Sequence, residues 1–85
     1  LSSYSAPELF SLLGTIEPTT DIYSVGLILY RIFNGNHAPF EDENTSAKAA
    51  DRRRVTGEAL PVPMYADYEI SEIILKACAF KPEDR

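Results

Sequence analysis

The chain has 85 residues, of which 45% are hydrophobic and 25% are charged, and its net charge is −5. A chain of this length forms one domain at most, and its acidic charge argues against a general nucleic-acid binder, which would be basic. Cys78 is the single cysteine, which excludes an internal disulfide and favours a cytoplasmic location, and the longest apolar run, residues 25–30, is too short to cross a membrane.

The first predicted helix covers residues 7–13. Pro7 suits its first turn, because the fixed φ of proline is helical and its missing N–H would have no partner there. Gly14 is the natural stop for this helix. A Glu-Pro pair at residues 17–18 then predicts a turn.

A second helix is predicted over residues 21–33, with Thr19 or Thr20 as its cap. The carboxylate of Asp21 would then lie at the positive end of the helix dipole. Nine of the thirteen residues are apolar or tyrosine, which leaves no polar face wide enough for a surface position. The pattern therefore predicts a helix that is surrounded by other parts of a protein.

Two more helices are predicted in the second half of the chain. Residues 45–55, with Asn44 or Thr45 as cap and Gly57 as end, form a mostly polar helix that we expect to be exposed. Asp67 caps a last helix, whose apolar residues have the spacing of one buried stripe: Ile70, Ile73, Ile74, Ala77 and Cys78. Since no segment alternates convincingly between apolar and polar residues, the predicted fold class is all-α, with about four helices.

Three short motifs follow one another along the chain: YSAPE at residues 4–8, DIYSVG at residues 21–26 and KPEDR at residues 81–85. They resemble, in the same order, the Y-x-A-P-E that closes the activation segment of a protein kinase, the D-x-x-S-x-G that opens its central helix F, and the D-P-x-x-R after its helix H. Residues 35–40 and 60–63 also resemble the G-x-x-P-F and P-x-P of that family. The tyrosine in DIYSVG, where many animal kinases carry tryptophan, resembles bacterial Ser/Thr protein kinases.

The resemblance implies a fragment of the helical C-terminal lobe, in which residues 1–85 run from the end of the activation segment through helices EF, F, G and H. The N-lobe, the catalytic loop and the C-terminal end of the domain would be absent. The family's phosphate chemistry uses a Gly-rich loop, a strand lysine, H-R-D and D-F-G, and the sequence contains none of these motifs. We therefore expect no catalytic residue, metal ligand or cofactor in this chain and no activity of the chain alone. The full-length parent would transfer the γ-phosphoryl group of ATP, with Mg²⁺, to Ser/Thr of protein substrates.

Four residues have structural roles by this resemblance. Glu8 and Arg85 would form a largely buried ion pair that ties the activation segment to the lobe, since the planar fork of arginine suits a carboxylate. Asp21 would hold the catalytic loop by accepting hydrogen bonds from its backbone, or would only complement the helix dipole. Gly26, which is unfavourable inside a helix, indicates close packing against another backbone.

Ser2, Ser3 and Tyr4 match the loop that, in the family, receives the substrate residue after the phosphorylated one. Leu1 stands where Ser/Thr kinases usually carry a threonine that hydrogen-bonds to the catalytic aspartate. This departure leaves a pseudokinase, acting as a scaffold or interaction protein, as one alternative. A small helical interaction module that stands alone is the second alternative.

The helix that resembles helix G carries a cluster of cations: Lys48, Arg52, Arg53 and Arg54. Helix G is a docking surface in the family, and protein substrates are the expected partners of this helix and of the end of the activation segment, whereas nucleic acid is not. For the four charges themselves, a solvated helix face is the favoured interpretation. The strongly apolar second helix would lack the parts of the lobe that normally surround it. We therefore also expect copies of this chain to self-associate.

Overall fold

A computed structural model describes residues 2–10 and 18–85 of the chain. Leu1 and the predicted end of the first helix, with Gly14 as its stop, lie outside the described residues. The described part contains three α-helices and two short 3₁₀ helices: Pro7–Phe10 (3₁₀), α1 Pro18–Ile32, α2 Ala47–Val55, α3 Tyr68–Ala77 and Pro82–Asp84 (3₁₀). Within these residues there is no strand, only an isolated bridge, so the predicted all-α class is confirmed.

Helix α1 begins at Pro18, three residues earlier than the sequence predicts. Proline is well suited to a first helical position, because its φ is already helical. Thr19 and Thr20 therefore lie inside the helix, and the prediction that one of them is the cap was wrong. The C-terminal end agrees closely with the prediction, since α1 ends at Ile32 and Gly35 takes a left-handed φ of 61° in the turn that follows.

Helix α2 is capped by Ser46, whose hydroxyl accepts a hydrogen bond of 3.2 Å from a first-turn backbone N–H. The predicted caps, Asn44 and Thr45, were wrong, because both residues belong to a tight turn before the helix. In that turn the Asp42 carboxylate accepts from the Asn44 N–H at 2.7 Å, and Asp42 forms a bridge with Thr45. Beyond the helix, Gly57 has a φ of 95°, as a residue that ends a helix often does.

Helix α3 is capped by Asp67 as predicted, with a hydrogen bond of 2.8 Å from a first-turn N–H. The predicted apolar stripe is only partly correct. Ile74 and Cys78 are buried, but Ile73 is 66% exposed, and Ser71 is buried on the flank of the stripe instead. The buried face of α3 is narrow because it packs against one neighbouring helix, α1.

The core lies between α1 and α3. Tyr23, Leu27 and Tyr30 on one side of α1 are almost completely buried and pack with Ile74 and Cys78. Burial raises the pKa of the Cys78 thiol to about 12, against the opposing effect of nearby arginine charges, so this side chain behaves as an apolar core group.

The opposite side of α1 is also apolar but is left in solvent by the described residues. Four side chains spaced along it are each between 44% and 66% exposed: Ile22, Val25, Ile28 and Ile32. This outward face of α1 is therefore a large unpartnered apolar surface. None of the helices in the described ranges combines the length and the apolarity needed to cross a membrane.

Candidate functional site

Glu8 and Arg85, 77 residues apart, form a bidentate ion pair. The Arg85 Nη1 donates to Glu8 Oε2 at 2.8 Å and the Arg85 Nη2 donates to Glu8 Oε1 at 2.9 Å. The Arg85 side chain is completely buried and the Glu8 side chain is 13% exposed. The contact that the resemblance implied is thus present, and it joins the first 3₁₀ helix to the end of the second.

Every N–H of the Arg85 guanidinium has an acceptor. Besides its bonds to the carboxylate, Nε donates to the Ala79 carbonyl at 2.8 Å, Nη1 to Thr19 at 3.1 Å and Nη2 to Phe80 at 3.1 Å. The guanidinium also lies 4.5 Å from the centroid of the Tyr23 ring, within cation–π range. A guanidinium has five N–H donors in a fixed fork, and all five are hydrogen-bonded here. The buried charge of Arg85 is therefore fully satisfied.

The Glu8 carboxylate is held in its charged form by its neighbours. It accepts a third hydrogen bond, of 2.8 Å, from the Thr20 hydroxyl. Desolvation by itself would raise the pKa of Glu8, but hydrogen bonds from Arg85, from the backbone and from Thr20, together with the charge of Arg85, outweigh it and lower the pKa below its ordinary value.

Arg54 is buried, with only 2% of its surface exposed, so the prediction of a solvated residue was wrong. Its Nη1 donates to the Ser5 carbonyl at 2.6 Å and to the Tyr23 hydroxyl at 3.1 Å. Its Nη2 lies 3.8 Å from Asp51 Oδ1 and has no hydrogen-bond partner among the described residues. The side chain therefore reaches from α2 to the segment just before the first 3₁₀ helix, which explains why it is not in water.

The segment of Ser2, Ser3 and Tyr4 is anchored to both α1 and α2. The Ser3 hydroxyl donates to the Asp51 carboxylate of α2 at 2.7 Å, and the Tyr4 carbonyl accepts from the Ser24 hydroxyl of α1 at 2.8 Å. A turn within the segment is closed by hydrogen bonds between Ser2 and Ser5 in both directions. The loop that the resemblance assigned to substrate binding is thus fixed in place, with the Arg54 contact as a further anchor.

A groove of about 500 Å³ separates this segment from α2. Ser2, Ser3 and Phe10 line one side of the groove, and the other side is formed by four residues of α2: Lys48, Asp51, Arg52 and Val55. The groove is open to solvent and borders the segment that the resemblance assigned to substrate binding.

Asp21 and Gly26 lie on α1, away from this groove. Asp21 is an exposed residue in the first turn of the helix, and it lines an apolar pocket of about 270 Å³ together with Gly26. Gly26 is buried, and a Cβ on it would come within 2.7 Å of Cys78 Sγ and 2.9 Å of Ala77 Cβ. Gly26 is therefore closely packed against the end of α3, but the nearest atoms belong to side chains, and the Ala77 backbone carbon is farther away, at 3.4 Å.

The described residues offer no cluster of metal-binding side chains. Across residues 2–10 and 18–85, no group of three or more His, Cys, Asp or Glu side chains is placed to hold a metal ion. The four glycines of the chain, at positions 14, 26, 35 and 57, are also too scattered to form a phosphate loop.

The sequence pattern did not reveal that Asp51 and Arg54 hold the segment of Ser2, Ser3 and Tyr4. Within RRR at residues 52–54, adjacent arginines look alike in the sequence. Arg54 lies four residues after Ala50 and Arg53 four residues after Ala49, so helical spacing alone does not separate them, and only the complete burial of Ala50 in the structure does. The actual partners of Arg54 and Asp51, the backbone of Ser5 and the Ser3 hydroxyl, are almost 50 residues away in the chain.

Comparison with known proteins identifies the family of this chain. Residues 2–85 match the sequence model of the family described as protein tyrosine and serine/threonine kinase. The chain therefore belongs to the protein kinase family, and the resemblance to kinases is confirmed.

Two known protein kinases are similar in sequence to most of the chain. It is 35% identical over 83 residues to the serine/threonine-protein kinase Pkn1 of Myxococcus xanthus, which covers 96% of this chain and 12% of that protein. It is 30% identical over 82 residues to the protein kinase kin1 of Schizosaccharomyces pombe, covering 96% of this chain and 9% of that protein. The chain thus spans only about a tenth of the length of these relatives, one bacterial and one from yeast.

Proposed function

We propose that this chain is the substrate-side part of the C-terminal lobe of a serine/threonine protein kinase. The parent transfers the γ-phosphoryl group of ATP, with Mg²⁺, to Ser/Thr hydroxyls of protein substrates in the cytoplasm. The observation that carries the proposal is the anchored segment of Ser2, Ser3 and Tyr4, which α1 and α2 hold beside an open groove in a chain of the kinase family.

In this proposal the chain positions the substrate and does not perform the chemistry. Arg54 and Asp51 fix the loop from α2, while the Glu8–Arg85 pair fixes the 3₁₀ helix that follows the loop. Phosphoryl transfer depends on positioning and on charge stabilisation near the phosphates. The chain has no phosphate-binding motif, so we expect it to be inactive alone.

A pseudokinase scaffold is the second candidate, and Leu1 is the observation that favours it. Leucine cannot make the hydrogen bond that a threonine at this position would make to a catalytic aspartate in an active Ser/Thr kinase. In that case the same loop and groove would bind a protein without phosphorylating it.

The test is phosphate transfer by the full-length protein that contains this chain. With radiolabelled ATP, Mg²⁺ and a general protein substrate such as casein, we expect labelled phosphoserine or phosphothreonine, and no label with the 85-residue chain alone. Protein binding without transfer by the full-length protein would refute the kinase activity and leave the scaffold.

A second measurement tests the substrate-side role. Replacing Asp51→Asn weakens the acceptor of the Ser3 hydroxyl and should raise the KM for the protein substrate several-fold while leaving the KM for ATP unchanged. Lys76→Ala, an exposed change on α3, is the matched control and should alter neither value. An equal rise in both KM values for Asp51→Asn would contradict a role confined to the protein substrate.

A further inference from the structure

The groove beside α2 has apolar lining residues as well as polar ones. Phe10, which is 44% exposed, and the partly buried Val55 line it from its two sides. Exposed aromatic surface next to an aliphatic side chain is favourable for burying an apolar side chain of a partner. The groove therefore offers more than a polar surface.

Two cations also line the groove. Lys48 and Arg52 are four residues apart on α2, so they lie on the same face of the helix, and both are exposed. Within the described ranges neither side chain has a hydrogen bond or an ion pair. The neighbouring arginines are engaged elsewhere, because Arg53 pairs with Glu58 at 2.6 Å and Arg54 is buried.

Asp51, the acidic residue among the described residues that line the groove, already has partners. Asp51 accepts a hydrogen bond from Ser3 and lies 3.8 Å from the guanidinium of Arg54. Asp51 is thus engaged by Ser3 and Arg54, whereas the charges of Lys48 and Arg52 have no counter-ion among the described residues. In a chain with a net charge of −5, this is a local positive site.

We propose that this groove binds an acidic segment of the protein substrate and that Lys48 and Arg52 are specificity-determining residues. The inference rests on the proposed function, because it takes the protein substrate as the occupant. Phe10 and Val55 receive an apolar side chain, and two carboxylates of the substrate pair with the two cations. Charge complementarity selects this occupant over a basic or neutral one.

The spacing makes the proposal more specific. Residues four apart on a helix are roughly 6 Å apart along its axis. In an extended peptide, side chains on the same face are two residues apart, which corresponds to roughly 6.6 Å. An extended Glu-x-Glu segment lying along α2 therefore matches Lys48 and Arg52, whereas two adjacent glutamates point to opposite sides of the peptide and match less well.

The test compares three fluorescent peptides for binding to the full-length protein by anisotropy. Each contains a serine followed by leucine and then Glu-Ala-Glu, Glu-Glu-Ala or Gln-Ala-Gln. We expect Glu-Ala-Glu to bind about 2- to 30-fold more tightly than Gln-Ala-Gln, the range for two exposed ion pairs, with Glu-Glu-Ala between them. High salt should remove most of the difference.

Charge reversal supplies the matched control. The double variant Lys48→Glu and Arg52→Glu should lose or invert the preference for Glu-Ala-Glu, while Lys76→Glu with Lys81→Glu, an equal change of charge at exposed positions outside the groove, should keep it. If circular dichroism showed that the Lys48/Arg52 variant does not fold, the three peptides and the salt series on the unmodified protein would still decide whether the groove prefers acidic segments.

Two outcomes would overturn the inference: equal affinity for the Glu and Gln peptides, or an unchanged preference in the folded Lys48/Arg52 variant. Either result, together with phosphorylation of the Gln peptide at an undiminished rate, would leave the proposed kinase function intact. Selective binding of Glu-Ala-Glu with no phosphate transfer would support the groove and refute the kinase activity, so the two failures are distinguishable.

Discussion

Replacing Arg85 with alanine removes the most completely bonded side chain of the described structure. The substitution deletes five N–H donors at once. It leaves the Glu8 carboxylate, 13% exposed, without its counter-ion. The carbonyls of Thr19, Ala79 and Phe80 lose a donor as well.

The expected loss of stability follows from these contacts. Breaking a buried ion pair by removing one partner costs about 3–5 kcal/mol, because the other charge stays buried and unpaired. Glu8 keeps some access to water, so the lower end, about 3 kcal/mol, is the better expectation. Arg85→Lys keeps the charge but loses the fork that matches both carboxylate oxygens, so we expect an intermediate loss.

The assay is urea unfolding of the protein followed by circular dichroism, with Arg52→Ala as the control. Arg52 is exposed and should change the free energy of unfolding by no more than about 0.5 kcal/mol. Arg54 is not a suitable control, because it is buried and hydrogen-bonded. If Arg85→Ala and Arg52→Ala had equal effects, the reasoning about the buried pair would be refuted.

Three further predictions follow from packing, charge and exposure. Gly26→Ala should lower the free energy of unfolding by about 1–3 kcal/mol, because the added Cβ would meet Cys78, although alanine has the better helix propensity. An unchanged melting temperature would exclude that close contact. The lowered pKa of Glu8 means that its charge stabilises the fold above about pH 4.5 and that this contribution is lost as pH falls through the lowered value. The stability difference between the protein and Glu8→Gln should therefore shrink as the pH falls below about 4.5 in urea titrations, and a constant difference would contradict the shift. The 85-residue chain alone should self-associate through the outward face of α1, as measured by light scattering. Ile28→Lys should reduce the self-association more than the control Val62→Lys. A monodisperse wild-type monomer at high concentration would count against this prediction.

The helices were predictable from the sequence because their apolar periodicity and end signals are local. Asp67 is preceded by no competing cap, and its helix was placed correctly. At α2, three consecutive residues, Asn44, Thr45 and Ser46, are all good caps, and only the turn made by the first two decides that the third is used. The exposure of Ile73 depends on which side of α3 packs against α1, and this is decided by tertiary structure.

The site was predictable only where a motif carried it. Glu8 and Arg85 each belong to a motif of the family, so their contact could be expected across the whole chain. Arg54 belongs to no such motif and looks like its solvated neighbours, because the groups that keep it buried, the Ser5 carbonyl and the Tyr23 hydroxyl, come from other segments. Buried polar side chains with backbone partners leave little trace in a single sequence.

The bonding of Arg85 also has a consequence for cooperativity. Its acceptors belong to the first 3₁₀ helix, to the start of α1 and to the turn after α3, so all of these segments must be in place before the guanidinium is satisfied. A state that buries the guanidinium without all of these acceptors would hold a desolvated cation with unused donors, which is strongly unfavourable. Burial of Arg85 therefore favours the simultaneous assembly of the first 3₁₀ helix, the start of α1 and the turn after α3.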